Sequence, residues 1–249
     1  MSYLFYILLG IAPSVVWLLF YLHKDANPEP KKTVLLVFLG GAFMGPIALL
    51  LQFSVIALIS PSSQWLNIFA SLGQNQYLFL LNVLAIAPLS EEVLKYLVVK
   101  WQVLKNPNFD EPLDAMIYLI ISALGFAATE NLLNIFLIPN ITLQLAGSQA
   151  LIRFVSATFL HTLTSGVLGF FIAYSMLNFK NRNYIFAVGF LLAASLHGAY
   201  NYLAWLFSSK QTTALALALT LAGLLVALGA IVNWQFRYLK KQLSICKIR

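Results

Sequence analysis

Seven long apolar stretches constrain the fold of this chain more than any other feature. Each is longer than the roughly 20 residues that a helix needs to cross the hydrocarbon core of a bilayer. They occupy residues 2–23, 33–60, 77–104, 112–138, 150–178, 184–206 and 212–236. The sequence therefore predicts an all-α, polytopic bundle of about seven membrane-spanning helices.

The composition favours lipid over water as the surrounding medium. Charged residues make up 9% of the chain and hydrophobic residues 61%, whereas soluble proteins carry about 25% charged residues. The connections between the stretches are short, so we expect one integral membrane domain over residues 1–249. The single cysteine, Cys246, excludes an intramolecular disulfide and makes a cysteine metal site implausible.

The basic residues indicate how the chain is oriented. Of the 15 Lys and Arg residues, twelve follow the first, third, fifth and seventh stretches, and one, Lys210, falls in a connection on the other side. Cytoplasmic loops are enriched in Lys and Arg, so we expect the N-terminus outside and the C-terminus in the cytoplasm. This pattern accounts for the net charge of +7 without nucleic acid as a partner.

Ionisable residues inside the apolar stretches mark the candidate site. A charged group at the centre of a bilayer costs about 2.5–3.5 kcal/mol on insertion scales, so such a group usually faces the interior of the bundle. These residues are confined to stretches three to six, and they are Glu91, Glu92, Lys95, Glu130, Arg153, His161 and His197.

Depth and spacing predict that most of these side chains meet. With a uniform helical rise, the glutamates and histidines lie about a third to a half of the way along their spans. Residues four apart share a helix face, and this offset joins His161 to Ser165 and His197 to Asn201. By the same offset we expect Lys95 to pair with Glu91, and we expect Pro88 to loosen the third helix nearby. The predicted result is a polar cavity lined by Glu91, Glu92, Glu130, His161, His197 and Asn201.

Four motifs occur in order along these stretches. They are Glu91-Glu92-x-x-Lys95, Gly125-Phe126-x-x-x-Glu130-Asn131, His161-x-x-x-Ser165-Gly166 and His197-x-x-x-Asn201. The ordered set resembles the PrsW family of intramembrane proteases, which is related to the CAAX prenyl endopeptidases and to the Aph-1 scaffold. The resemblance covers about residues 80–205, which places a motif-bearing core at about 77–206.

The resemblance implies an endopeptidase of the bacterial plasma membrane in which a glutamate of the first motif activates water. It implies that Glu130, His161 and His197 position that water and stabilise the oxyanion, with Asn201 as a further donor. Lys95, Ser165 and Arg153 would support the site, Arg153 mainly by joining helices near the outer interface. Implied substrates are membrane-tethered regulators such as anti-sigma factors. Glu130 stands where the CAAX enzymes have His, which argues against prenylated substrates.

Several alternatives remain open from the sequence. Glu91 is favoured over Glu92 as the general base, but the spacing alone does not choose between them. The cofactor is either none or one divalent metal such as zinc, with His161, His197 and Glu91 as candidate ligands. A proton- or cation-coupled transporter and a catalytically silent Aph-1-like scaffold are the competing functions. The substrate and the oligomeric state are not determined.

Overall fold

The computed structural model of the chain describes residues 3–24, 27–60, 68–209 and 213–242. In this part of the chain the regular structure is helical throughout. The α-helices are α1 (Tyr3–His23), α2 (Lys31–Ile59), α3 (Ile68–Gln74), α4 (Gln76–Leu81), α5 (Ala87–Gln102), α6 (Asp114–Phe136), α7 (Leu143–Val155), α8 (Ala157–Leu177), α9 (Arg182–Ser209) and α10 (Ala214–Leu239).

Seven segments of the described chain are long and apolar enough to cross a membrane, which confirms the predicted all-α bundle of seven spans. They are Tyr3–His23, Lys31–Ile59, Gln76–Gln102, Asp114–Phe136, Leu143–Leu177, Phe179–Ser209 and Ala214–Leu239. Four residues used in the charge and cysteine arguments lie outside the described residues, namely Lys210, Cys246, Lys247 and Arg249.

The third span contains the irregularity that Pro88 led us to expect, but it begins before the proline. α4 runs into a π-helical turn over Asn82–Ile86, and this turn continues directly into α5. α9 passes close to the turn, because a Cβ added to Gly198 would lie 2.3 Å from the carbonyl oxygen of Leu84. The irregular turn therefore sits against α9 just before the glutamates of α5.

The fifth span differs from the prediction, because it is two helices and not one. The chain breaks at Ser156, between α7 and α8, where the backbone leaves the helical region. The Ser156 hydroxyl donates to the carbonyl oxygen of Ile152 at 2.6 Å. Serine back-bonding of this kind bends helices, and here it helps to satisfy the free end of α7.

α6 is the central helix of the bundle and packs against α1, α2, α5 and α8. Its approach to α2 is close enough to require glycine. A Cβ on Gly125 would lie 1.9 Å from the carbonyl oxygen of Phe38, and a Cβ on Gly41 would lie 2.0 Å from that of Ser122. Small residues let membrane helices approach in this way, and Gly41 and Gly45 form the face by which α2 packs against α6.

We expect Gly125→Ala to destabilise the protein by about 1–3 kcal/mol or more, the usual range for overpacking, because the facing atom is rigid backbone. Thermal unfolding of the purified protein in detergent measures the effect. Gly147→Ala is the matched control, since a Cβ there would meet nothing within 4 Å and alanine favours the helix. Equal unfolding temperatures for the two variants would contradict the close α2–α6 contact.

Candidate active site

The ionisable residues of spans three to six come together in one cluster, as predicted from their depth. α5 contributes Glu91, Glu92 and Lys95, α6 contributes Glu130, and α8 and α9 contribute the two histidines. The rings of His161 and His197 are 4.9 Å apart, centre to centre. Each histidine lies within 3.5 Å of a glutamate oxygen.

Glu92 is sealed inside the bundle, so the prediction that it lines the cavity is wrong. Its Oε1 accepts from Lys95 Nζ at 2.9 Å and lies 3.0 Å from His197 Nδ1, and its Oε2 accepts from Ser165 at 3.0 Å. The side chain has no exposed surface. Glu92 lies about 100° around the helix from Glu91, and this rotation turns it toward α8 and α9. Glu92 therefore holds neighbouring side chains in place.

Glu91 has the opposite environment and faces the cavity. Its Oε1 accepts from Gln52 Nε2 at 3.3 Å. Its Oε2 is buried and has no hydrogen-bond partner among the described residues. His197 Nε2 lies 3.5 Å from this oxygen and Lys95 Nζ lies 3.9 Å from it. A buried carboxylate oxygen without a hydrogen bond is costly, so this atom is the natural position for a bound water or ion.

Lys95 interacts with Glu92 more closely than with Glu91, which corrects the expected pairing. Its Nζ is 3.9 Å from Glu91 Oε2 but 2.9 Å from Glu92 Oε1. It also donates to His161 Nδ1 at 2.8 Å and lies 4.7 Å from the centre of the Phe126 ring. These contacts draw the ammonium group toward α8 and away from the free oxygen of Glu91.

The protonation of the two histidines follows from their partners. His197 Nδ1 faces the Glu92 carboxylate, which only accepts, so Nδ1 carries a proton, and Nε2 of the same ring faces Glu91 Oε2 at 3.5 Å. His161 Nδ1 accepts from Lys95, so its Nε2 donates to Glu130 at 2.8 Å. The hydrogen bond at one ring nitrogen thus decides the role of the other.

Arg153 lies at the site, where it does more than join helices at the membrane interface. It donates through NH2 to Glu130 Oε2 at 3.1 Å and through Nε to the side-chain oxygen of Asn131. Asn131 in turn donates to Thr158 at 3.1 Å. This chain of bonds connects α6, α7 and α8, and it fixes Glu130 beside His161.

Five of the six residues predicted to line the cavity do so, in a cavity of about 880 Å³: Glu91, Glu130, His161, His197 and Asn201. In the described part of the chain the Asn201 amide has no hydrogen-bond partner, so it is free to bind a substrate. The remaining walls are largely apolar and come from α2, α6, α7 and α9; they include Ala48, Leu49, Leu133, Leu137, Ile152 and Trp205.

Gln52 is a site residue that the sequence argument missed. It is buried on α2, lines the cavity and donates to Glu91. The sequence argument began from ionisable groups and added neutral polar residues only four positions away from them, so it passed over Gln52, whose span has no ionisable group in its interior. A polar side chain in the middle of an apolar stretch was the available signal.

Glu91, His161 and His197 fit a metal ion. Each offers one ligand atom, and the three atoms lie within 4.8 Å of one another. One carboxylate and two imidazoles form a donor set typical of catalytic zinc, which keeps an open position for water. Glu92 holds His197 through the nitrogen that would face away from the metal, as is usual for metal-bound histidines. The three candidate ligands named from the sequence are therefore adjacent in space.

Comparison with known proteins gives the family. Residues 29–232 match the model of the PrsW family intramembrane metalloproteases. Protease PrsW of Geobacillus kaustophilus is 32% identical over 81% of this chain and 79% of the relative. Protease PrsW of Oceanobacillus iheyensis is 28% identical over 80% and 83%, and that of Clostridioides difficile is 30% identical over 79% and 77%.

No solved structure matches the chain. The family match covers most of the sequence and includes all four motifs, from Glu91 on α5 to Asn201 on α9. The relatives are bacterial proteases, and the seven apolar spans are those of an integral membrane protein. This chain therefore belongs to the PrsW family of intramembrane proteases and is an integral bacterial membrane protein.

Proposed function

We propose that the chain cleaves peptide bonds of membrane-tethered proteins with a water molecule that Glu91 activates. The observation that carries the proposal is the buried Oε2 of Glu91, which has no hydrogen-bond partner among the described residues and belongs to a cavity-lining side chain. Peptide hydrolysis needs a base for the water and an acid for the leaving amine. Glu91 Oε2 would take the proton from the attacking water and return it to the amine nitrogen as the C–N bond breaks.

The contacts of the two adjacent glutamates support this choice. Both oxygens of Glu92 are engaged by Lys95, His197 and Ser165, so Glu92 is unsuited to accept a further proton. One oxygen of Glu91 is held by Gln52 and the other is free of hydrogen bonds. Glu92 is thus the positioning residue, and Glu91 is the catalytic one.

Stabilisation of the oxyanion falls to Asn201 in this proposal. His197 donates from Nδ1 to Glu92, and its Nε2 faces Glu91 Oε2 at 3.5 Å, so the ring is already turned toward the two glutamates. The Asn201 amide lines the same cavity and is free to donate. Donors of this kind act mainly in the transition state. Arg153 keeps Glu130 charged and in place beside His161.

Glu91, His161 and His197 are the residues that would hold a divalent metal such as zinc, and in that form of the proposal Glu91 would act as a ligand and not as the base. A bound zinc ion lowers the pKa of its water and polarises the scissile carbonyl. His197 and Glu91 already present free atoms, whereas His161 would exchange one of its hydrogen bonds, to Lys95 or Glu130, for the ion.

The substrate class follows from where the cavity lies. Its walls belong to helices that cross the membrane, and most of the lining is apolar. A segment that enters it must come from a protein held in the bilayer, such as an anti-sigma-factor-like regulator. We also propose that the N-terminus lies outside and the C-terminus in the cytoplasm, in keeping with the distribution of basic residues.

The decisive experiment uses the purified protein in liposomes with a single-span reporter labelled at both ends. We expect two fragments whose new termini, located by mass spectrometry, fall in or next to the reporter's apolar span. If the reporter stays intact and protons or cations flow into the liposomes, the protease proposal is wrong and the transporter function replaces it. An intact reporter without flux would favour a silent scaffold.

We expect Gln52→Leu to lower turnover about 10–100-fold, the usual cost of losing a residue that orients a site ligand. The loss should appear in kcat more than in KM, because Gln52 orients Glu91 and does not hold the substrate. Gln149→Leu is the matched control, since it places the same change on another wall of the cavity. Equal activity of the Gln52 variant and the control would contradict this role.

A further inference from the structure

A second cleft lies between α1 and α10, on residues that the active site does not use. It has a volume of about 240 Å³, and aromatic rings form much of its wall: Trp17 and Phe20 from α1, Phe159 from α8 and Phe236 from α10. Trp17 stacks on Phe159 with ring centres 4.4 Å apart. Phe20 is 45% exposed, so this wall borders the surroundings of the bundle.

One end of the cleft carries positive charge. Lys24 lines this end, where its Nζ donates to Asn233 at 3.2 Å and lies 4.8 Å from the centre of the Phe20 ring. Arg237 and Lys240 are close enough for their charges to act on it. Partial burial, and then these two like charges, lower the pKa of Lys24.

Among the described residues, these three cations have no acidic partner. The ion pairs among the described residues involve Lys95, Arg153 and the two cluster histidines, and none joins Lys24, Arg237 or Lys240 to a carboxylate. Mutual repulsion of uncompensated charges disfavours the folded state. An anion at this position would relieve that repulsion.

An aromatic cleft with three cations at one end has the chemistry of a lipid-binding site. Lys24 comes directly after the first span and Arg237 and Lys240 stand at the end of the last one, which is the level of lipid headgroups. Basic pockets of this kind between spanning helices bind anionic lipids. A cleft of this volume is smaller than the roughly 300–1,000 Å³ that encloses a whole small ligand, but it accepts a segment of one acyl chain.

We propose that this cleft binds one anionic phospholipid, with its phosphate at Lys24, Arg237 and Lys240 and part of an acyl chain between the aromatic rings of α1, α8 and α10. Charge complementarity selects an anionic headgroup over a zwitterionic one. The apolar walls select a lipid over a free phosphate. The proposal is independent of the catalytic assignment, because no residue of the cleft lines the active-site cavity.

Native mass spectrometry of the delipidated full chain in detergent tests the proposal. Titration with dioleoyl phosphatidylglycerol should show one preferred site that is at least about fivefold stronger than for dioleoyl phosphatidylcholine. Lys24→Gln should weaken this site about fivefold, the effect of one basic residue at an anionic lipid surface. Lys180→Gln, at an exposed position outside the cleft, is the matched control and should change nothing.

Filling the cleft gives a second test that leaves the charges in place. A Cβ at Gly229 would lie 3.6 Å from the Phe159 ring, an ordinary contact, so Gly229→Ala should retain the lipid and Gly229→Leu should lose it. Glycerophosphoglycerol, the headgroup without chains, should fail to compete. Phosphatidylglycerol binding that withstands both Lys24→Gln and Gly229→Leu overturns the site. The site is also overturned if Lys180→Gln weakens phosphatidylglycerol binding as much as Lys24→Gln does, or if glycerophosphoglycerol alone competes fully with the lipid.

Discussion

Glu91→Gln is expected to abolish detectable cleavage while the protein remains folded. The amide cannot accept the proton of the attacking water, and removal of a general base typically costs 10²–10⁴-fold in rate. The fold should tolerate the change because of the charge balance of the cluster. Glu91, Glu92 and Glu130 face Lys95 and Arg153, so neutralising Glu91 leaves two carboxylates opposite two cations.

Glu92→Gln is the matched comparison, because the same chemical change falls on the next residue of the same helix. Here the fold should suffer, since Lys95 would lose its closest carboxylate partner inside the bundle. Breaking a buried pair in this way costs about 3–5 kcal/mol. Thermal unfolding and reporter cleavage, measured on both variants, separate the two roles. A folded Glu91→Gln variant with near-normal cleavage would remove Glu91 from the mechanism.

The sequence alone predicted the seven spans and the residues that form the polar cluster, and there is a physical reason for this. Apolar length and ionisable groups inside apolar stretches are strong signals, because a bilayer penalises exceptions to both. Those signals placed the glutamates of α5 together with Glu130 and the two histidines, and the structure brings them together.

The sequence was not sufficient for the contacts that assign roles. Helical spacing gives the direction of a side chain around its own helix, but it does not identify the neighbour in that direction. Lys95 therefore seemed paired with Glu91, whereas α8 draws it toward Glu92 and His161. Glu92 seemed to face the cavity, but α8 and α9 enclose it.

One backbone feature escaped prediction for a related reason. The break at Ser156 lies inside an apolar run without proline or glycine, and so it left no local signal. The break nevertheless lets α7 leave the axis of α8, with Arg153 near the end of α7 and His161 in the first turns of α8. Both side chains reach Glu130 from these two helices.

Removal of a bound divalent metal is expected to stop cleavage, and zinc is expected to restore it. The purified protein should then hold about one zinc ion per chain, counted by elemental analysis, and His197→Ala should lose both the ion and the activity. Glu92→Gln should weaken zinc binding about 10–100-fold, because Glu92 orients the ring of His197. His23→Ala is the matched control, since His23 lies at the exposed end of α1.

Zinc content and cleavage together decide between the two chemistries that the cluster allows. His197 Nε2 and the Oε2 of Glu91 that lacks a hydrogen bond lie 3.5 Å apart, so either an ion or a water molecule could bind both atoms. If an ion binds these two atoms, the protein treated with chelator is inactive. The His197 and Glu92 variants then lose zinc affinity and cleavage activity in parallel. If chelation leaves cleavage unchanged in a protein without zinc, the metal proposal is wrong. Glu91 then acts on water directly, and His197 Nε2 helps to hold that water beside Glu91 Oε2.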